Sequence, residues 1–416
     1  MAEREDLILN PVPFAERIGW KPPLFNILGC NIALSELMVG GVLITGLTFK
    51  RLVLVSLLGN LILCVILAVQ GNIATREGLN TYVLVKQAFG EVGGKWIIST
   101  LLGITSFGWF GVQAGVAGLS VQKIFPNIDL TVAIIVLGIL MVIVAVYGFN
   151  TMALFNYIAI PPLLILMIWG LYKTIGGVGF ETILNYTPTQ NISIIEGINI
   201  VVGLVIVGVV ISPDYLRYTR GMRDVLIIGF FGISIISFFQ QVAAGAMATQ
   251  TPTWDITLVL AKLGFNWVAF IILLLAAWST NLSNAYSGGL ALKTIFPNVQ
   301  RKILTLVAGL IGTAIAACGI VFKFQGFLSF LSMLVPAVAG VMWVEYYIIQ
   351  KKKFIIRESV NWLAMIAWIA GSALSFWSSK VGVGLPPLNG IVASSLIYFV
   401  LVKTFDKSIV VKEASL

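Results

Sequence analysis

Long apolar runs, each closed by charged or turn-forming residues, follow one another almost from end to end of the chain. Twelve have a length near the roughly 20 residues that a helix needs to cross a bilayer. They cover 25–48, 52–71, 96–122, 130–148, 152–172, 196–213, 225–248, 265–290, 303–322, 326–349, 360–378 and 384–403. The pattern predicts an all-α integral membrane protein with about twelve transmembrane helices. Residues 73–94 are too polar to span and read as an interfacial helix.

Two spans carry interruptions. In span 1, Gly29, Asn31, Ser35, Glu36 and the Gly40-Gly41 pair weaken a regular helix and add polarity at depth. Span 6 contains Gly203 and Gly208 and runs into Ser212-Pro213-Asp214. Broken helices five spans apart predict a five-plus-five inverted repeat within one polytopic domain. Its halves would be 25–174 and 194–350, with two additional helices over 358–404. Backbone groups freed at such breaks bind ions and substrates near the bilayer midplane, although glycines serve close helix packing equally well. Pro161-Pro162 predicts a kink in span 5.

Composition supports the membrane reading. The 416 residues are 59% hydrophobic and 10% charged, with mean hydropathy +1.00, whereas soluble proteins average about 25% charged residues. A net charge of +9 would suit nucleic acid, but the basic residues stand at the ends of apolar spans and read as topology signals. Nineteen of the 26 lysines and arginines fall on the side of the termini. Three precede span 1 (Arg4, Arg17, Lys21), and three follow span 12 (Lys403, Lys407, Lys412). Both termini are therefore expected in the cytoplasm, with the protein in the plasma (inner) membrane and the lipid bilayer around it. The first 21 residues carry Glu3, Glu5, Asp6 and Glu16 and lack a signal-peptide pattern. No obligate protein partner and no nucleic acid are expected.

Histidine is absent, which removes the commonest metal ligand and the usual general base. Cys30, Cys64 and Cys318 are odd in number, far apart and inside apolar runs, so disulfides and zinc are not expected. Without an acidic cluster facing a headgroup, an intramembrane enzyme is disfavoured. A channel would carry no substrate against a gradient.

The polar groups at depth carry the chemistry. Ser106, Trp109 and Gln113 fall at i, i+3 and i+7 and form one helical stripe in span 3. A hydroxyl, an indole and a carboxamide on one face suit a flat ring with a polar edge, and they suit helix packing equally. Span 8 gathers Ser279, Thr280, Asn281, Ser283 and Asn284. Ala276 and Thr280 share a face with Ser279 beside them. Two hydroxyls and the Ala276 carbonyl would suit a hard monovalent cation such as sodium. Hydroxyls that bond back to the preceding turn are the bland alternative. Glu36 is the one carboxylate well inside span 1, a candidate proton site or else a vestibule residue near the outer helix end. For Asp214 and Arg217, spacing alone predicts a solvated helix end, with a gate contact as the alternative.

Taken in order, the motifs resemble those of the nucleobase:cation symporters, most of all the bacterial cytosine permeases. The resemblance rests on Asn10-Pro-Val-Pro13, Gly108-Trp-Phe-Gly-Val-Gln113, Pro213-Asp-Tyr-Leu-Arg-Tyr218 and Trp278-Ser-Thr-Asn281. It implies a broken-helix inverted-repeat fold and uptake of a small heteroaromatic substrate coupled to Na+ or H+, usually sodium. It puts Trp109 in the role of ring stacker and Gln113 in that of edge reader, with Asn281 as a further amide. The family's cation site falls on Gly29, Ile32, Ala276, Ser279 and Thr280. Some positions depart from the pattern. Cytosine permeases carry glutamine where this chain has Ser106 and asparagine where it has Ala276. Family members usually place an aromatic on span 6, where this chain has Leu204 and Val205. The departures imply a more apolar pocket wall and a larger, less polar ring than cytosine; allantoin, hydantoins and thiamine-precursor pyrimidines are alternatives.

Overall fold

The computed structural model describes residues 7–265 and 267–405. Arg4, Lys407, Lys412, Glu3, Glu5 and Asp6, which entered the charge reading, lie outside the described residues. The described chain is helical throughout. Span 1 is split into α1 (Lys21–Asn31) and α2 (Leu34–Gly46), with a bend of 50° between them. Next come α3 (Phe49–Glu77), α4 (Thr81–Val92), α5 (Ser99–Ile124), α6 (Leu130–Val146), α7 (Phe149–Val178) and the short α8 (Phe180–Leu184). Span 6 is likewise interrupted, as α9 (Ile194–Val210) and α10 (Pro213–Leu216). Beyond it lie α11 (Met222–Gly229), α12 (Ile236–Ala248), α13 (Ile256–Lys262), α14 (Trp267–Ile295) and α15 (Arg301–Ala317). The last three are α16 (Phe324–Trp343), α17 (Trp362–Val381) and α18 (Pro386–Phe405).

Among the described residues, eight helices are long and apolar enough to cross a membrane, or nine when the α1–α2 pair counts as one span. The apolar α6 and α9 are shorter, and α15 fills the ninth of the twelve places. The helix α7 runs on through Pro161-Pro162 without interruption.

The break in span 1 falls at Ile32–Ala33, where Ala33 is extended (φ −128°, ψ 152°). A broken helix leaves its last carbonyls without intrahelical donors. Gln240 donates to Asn31 O, and the Ser279 and Thr280 hydroxyls lie within hydrogen-bonding distance of Gly29 O and Cys30 O. Span 6 breaks at Ile211–Ser212, where Ser212-Pro213 begins a new short helix.

One expectation fails. Residues 81–92 are not an interfacial helix. They form α4, buried over most of its length and joined to α5 by a π-helical turn at Gly93–Ile98. Gly90 permits this with φ +82°, and any Cβ there would collide with the Ser359 carbonyl. Phe89 O accepts from Asn361 N at 2.9 Å, and Glu91 N donates to Arg357 O at 2.7 Å. The backbone at Phe89 and Glu91 is thus satisfied by the chain that leads into α17.

The ends of α3, α4 and α10 meet the segment 8–18 at one end of the bundle, here termed the base. Asn80 Nδ2 donates to Ile8 O at 2.6 Å, Val12 N to Gly78 O at 2.9 Å, and Ile18 N to Tyr218 O at 3.0 Å.

Candidate functional site

A cavity lies at the two helix breaks. One wall is Cys30, Asn31, Ser35 and Glu36 around the break in span 1. A second is Thr105, Ser106, Trp109 and Gln113 of α5, and a third is Leu204, Val205, Val207 and Gly208 of α9. Thr280, Ser283 and Asn284 of α14 and Tyr215 of α10 complete it. The stripe of span 3 therefore faces a cavity, and packing braces it. Trp109, 9% exposed, packs edge-on against Phe324 and Phe327 of α16, with ring centroids 5.9 and 5.8 Å away. Those two phenylalanines, 215 or more positions along the chain, carried no sequence signal. They hold the indole in place without satisfying its polar neighbours.

Gln113 is 1% exposed, and its Oε1 is buried without a hydrogen-bond partner. A buried carbonyl-type acceptor left bare costs about 1–3 kcal/mol, so a ligand N–H donor placed there is favoured. Ser106 behaves differently. Its hydroxyl donates to Leu102 O of its own helix at 3.3 Å. Leu204 and Val205 form the apolar wall that the sequence suggested.

Asn281 requires a correction. Its Nδ2 donates to Phe110 O at 3.1 Å and contacts Met141 Sδ at 3.2 Å, so it ties α14 to α5 and α6 outside the cavity lining. The amide of α14 that reaches the cavity is Asn284, three residues on, which donates to Asn281 Oδ1 at 3.2 Å.

Gly29, Ala276, Ser279 and Thr280, expected around a cation, converge. Ser279 Oγ lies 3.0 Å from Gly29 O. Thr280 Oγ1 lies 3.3 Å from Gly29 O, 3.4 Å from Cys30 O and 3.2 Å from Ala276 O. The N–H of Ile32 bonds to Leu28 O at 2.7 Å, and Cys30 also brings a carbonyl oxygen to Thr280. The sequence reading missed Asn156 of α7, whose Oδ1 accepts from Ser279 Oγ at 2.7 Å. Each hydroxyl has one proton to donate. The cluster thus holds more carbonyl-type oxygens than protons to bond them, and hard oxygen donors in surplus suit a hard monovalent cation. Asn156 presses on Gly29, where a Cβ would meet Asn156 Nδ2 at 2.1 Å, so only glycine admits this approach. Among the described residues, no group of three His, Cys, Asp or Glu could hold a metal ion.

Glu36 is 2% exposed and is no vestibule residue. Its Oε1 accepts from Ser237 Oγ at 3.1 Å and its Oε2 from Gln241 Nε2 at 2.7 Å, both on α12. Gln241 Oε1 in turn accepts from Asn60 Nδ2 at 3.0 Å. The adjacent Gln240-Gln241 amides in an apolar span were the sequence signal for this network, and the reading passed over them.

Asp214 and Arg217 are fully buried, not a solvated helix end. Asp214 caps the start of α4, accepting from Thr81 N at 3.0 Å, and accepts from Ser287 Oγ of α14 at 2.6 Å. A carboxylate suits a helix N-terminus electrostatically. Arg217 donates to Leu7 O at 3.0 Å, Ile8 O at 3.2 Å, Tyr218 OH at 2.8 Å and Tyr286 OH at 3.2 Å. Together they join α4, α10, α14 and the N-terminal segment below Tyr215, whose OH donates to Ser283 O at 3.2 Å.

Comparison with known proteins gives a consistent result. Residues 11–401 match the family described as permeases for cytosine/purines, uracil, thiamine and allantoin. The chain is 29% identical over 410 residues to the cytosine permease of Escherichia coli K12, covering 96% of this chain and 95% of that one. It is 25% identical over 370 residues to the hydantoin permease of Microbacterium maritypicum, covering 78% and 73%. Its fold superposes on Mhp1, a nucleobase-cation-symport-1 family transporter in a closed conformation with bromovinylhydantoin bound. There the TM-score is 0.85 at 20% identity, over 95% of each chain.

Proposed function

Since the chain belongs to the family of permeases for cytosine/purines, uracil, thiamine and allantoin, we propose that it imports a nucleobase or related heteroaromatic ring by symport with Na+. The observation that carries this reading is the position of the unpartnered Gln113 Oε1 beside Trp109, in a cavity that adjoins the surplus of oxygens at the span 1 break. The ring stacks on Trp109, a contact worth about 1–3 kcal/mol per base in nucleic-acid systems, and gives an N–H to Gln113. Sodium at Gly29, Ala276, Ser279, Thr280 and Asn156 draws α1 against α14 and fixes the cavity wall. The inward cation supplies about 2.3 kcal/mol per charge per 100 mV. The base, with both termini, faces the cytoplasm of the plasma (inner) membrane, as the distribution of Lys and Arg argues. Residues 25–174 and 194–350 form the two repeats.

A second reading of the coupling ion rests on Glu36, a buried carboxylate bonded by neutral donors, which would carry H+ in place of sodium. A thermal-shift panel of purines, pyrimidines, allantoin, hydantoins and thiamine-precursor pyrimidines, each with and without sodium, tests both. A ring whose stabilisation depends on sodium supports the proposal through mass action. Stabilisation indifferent to sodium in every case refutes sodium coupling.

A further inference from the structure

Among the described residues, Glu36 is the one charged residue in the cavity lining. No lysine or arginine pairs with it among the described residues, and Ser237 and Gln241 are its hydrogen-bond donors. Both carboxyl oxygens accept, the arrangement of an ionised carboxylate, and each keeps a free lone-pair site. Taking such a charge out of water costs several kcal/mol unless an opposite charge accompanies it. On the wall opposite, Gln113 Oε1 is a second acceptor without a partner. Chain direction sets the two acceptors in the same half of the cavity. Glu36 lies one turn beyond the span 1 break, away from the base, and Gln113 one turn beyond Trp109 in the same direction. The cavity therefore offers an unpartnered amide oxygen and one carboxylate whose partners are neutral.

We propose that Glu36 is a specificity-determining residue that selects amino-substituted heteroaromatic rings, serving as counter-ion to the ring's amidine edge. In that edge a ring nitrogen stands next to a carbon bearing an exocyclic amino group. With the ring nitrogen protonated, its N–H and the amino N–H give two parallel bonds to one carboxylate, the geometry that makes arginine–carboxylate pairs strong. The ring nitrogen takes one proton from water, forming one N–H bond, so the pair gains one proton and the ring is otherwise unchanged. An oxo ring presents an N–H beside a carbonyl oxygen, so one carboxylate oxygen gains a bond and the other faces a lone pair. Rings with an amino group are favoured and their oxo counterparts rejected. The selection rests on the nucleobase reading of the same cavity and narrows it.

The test uses the full-length protein in lipid nanodiscs with sodium present. Binding is measured for two matched pairs, cytosine against uracil and adenine against hypoxanthine, which differ in amino or oxo substitution at one ring carbon. The expected result is a preference for the amino member of about tenfold or more, the scale of one charge-assisted hydrogen bond. Glu36→Gln keeps the shape and both neutral neighbours while presenting an amide whose N–H₂ and C=O match a lactam edge. Its amino-to-oxo ratio should collapse to unity or invert, with binding still lost in Trp109→Ala. Equal affinity of the unaltered protein for the two members of each pair overturns the proposal, whatever the variant does. An unchanged ratio in a folded Glu36→Gln variant also overturns it and leaves ring binding standing. Failure of all four rings and of the wider panel to bind refutes the nucleobase reading, and this selection with it.

Discussion

Gly29→Ala is the most direct probe of the oxygen cluster. The new methyl group would sit 2.1 Å from Asn156 Nδ2, 2.4 Å from its Cγ and 2.7 Å from its Oδ1. The amide has to withdraw, since helix backbone on both sides is fixed by packing. Withdrawal removes the bond from Ser279 Oγ to Asn156 Oδ1 and the 3.2 Å bond from Asn156 Nδ2 to Phe25 O. Two neutral hydrogen bonds at about 0.5–1.5 kcal/mol each amount to about 1–3 kcal/mol, equivalent to a loss of about 5- to 150-fold in affinity. The expected outcome is a sodium activation constant raised by that factor, measured as sodium-dependent ring uptake into proteoliposomes. Substrate affinity at saturating sodium should change far less. Asn156→Ala in the Gly29→Ala background clears the space and should restore a well-packed break, though with one cation ligand fewer. A sodium constant unchanged by Gly29→Ala, in protein of unchanged melting temperature, would refute the assignment of the cation to this cluster.

Other outcomes follow from the same geometry. Trp109→Ala should abolish uptake while Trp109→Phe keeps part of it; full uptake by the alanine variant removes the stacking role. Ser279→Ala with Thr280→Ala should eliminate sodium dependence, and sodium activation that persists in the double variant moves the ion elsewhere. Ser287→Ala deletes the 2.6 Å bond to Asp214, worth about 1.5–3 kcal/mol for a charged acceptor. In a Cys64→Ala, Cys318→Ala background, maleimide labelling of the cavity-lining Cys30 from the base side should accelerate. An unaltered labelling rate would argue that this contact does not hold the base closed.

Much of this was legible in the sequence because it depends on local pattern. Apolar run length placed a helix at each expected span, although α3 and α7 run six residues past the expected ends at 71 and 172. Gly29, Asn31 and Ser35 flagged the first break, and Ser212-Pro213 flagged the second. The spacing of Ser106, Trp109 and Gln113 put three side chains on a face that does line the cavity. What escaped depends on partners distant in the chain. A single asparagine in span 5 gives no hint that it will meet Gly29 and Ser279, more than 120 residues away on either side. Residues 81–92 look too polar to bury, because nothing nearby reveals that the chain at 357–361 will satisfy them. Asn281 and Asn284 lie three positions apart on one helix, and only the docking of α14 on α5 decides which reaches the cavity. Asp214 and Arg217 look like an exposed pair until α4, α14 and the N-terminal segment close over them.

That N-terminal segment holds Arg217 through the carbonyl oxygens of Leu7 and Ile8. Every residue type offers the same oxygen, so the contact is indifferent to which side chains stand there. It is sensitive to the path and length of the chain that delivers them, from the Gly78 anchor at Val12 to the start of α1. Point substitutions at Leu7 should pass unnoticed in transport, whereas deletion of one or two residues between Ile8 and Lys21 would pull both oxygens off the guanidinium. The opening of the base is then set by a length of tether, and insertions or deletions there become a means of tuning the transport cycle without altering the cavity.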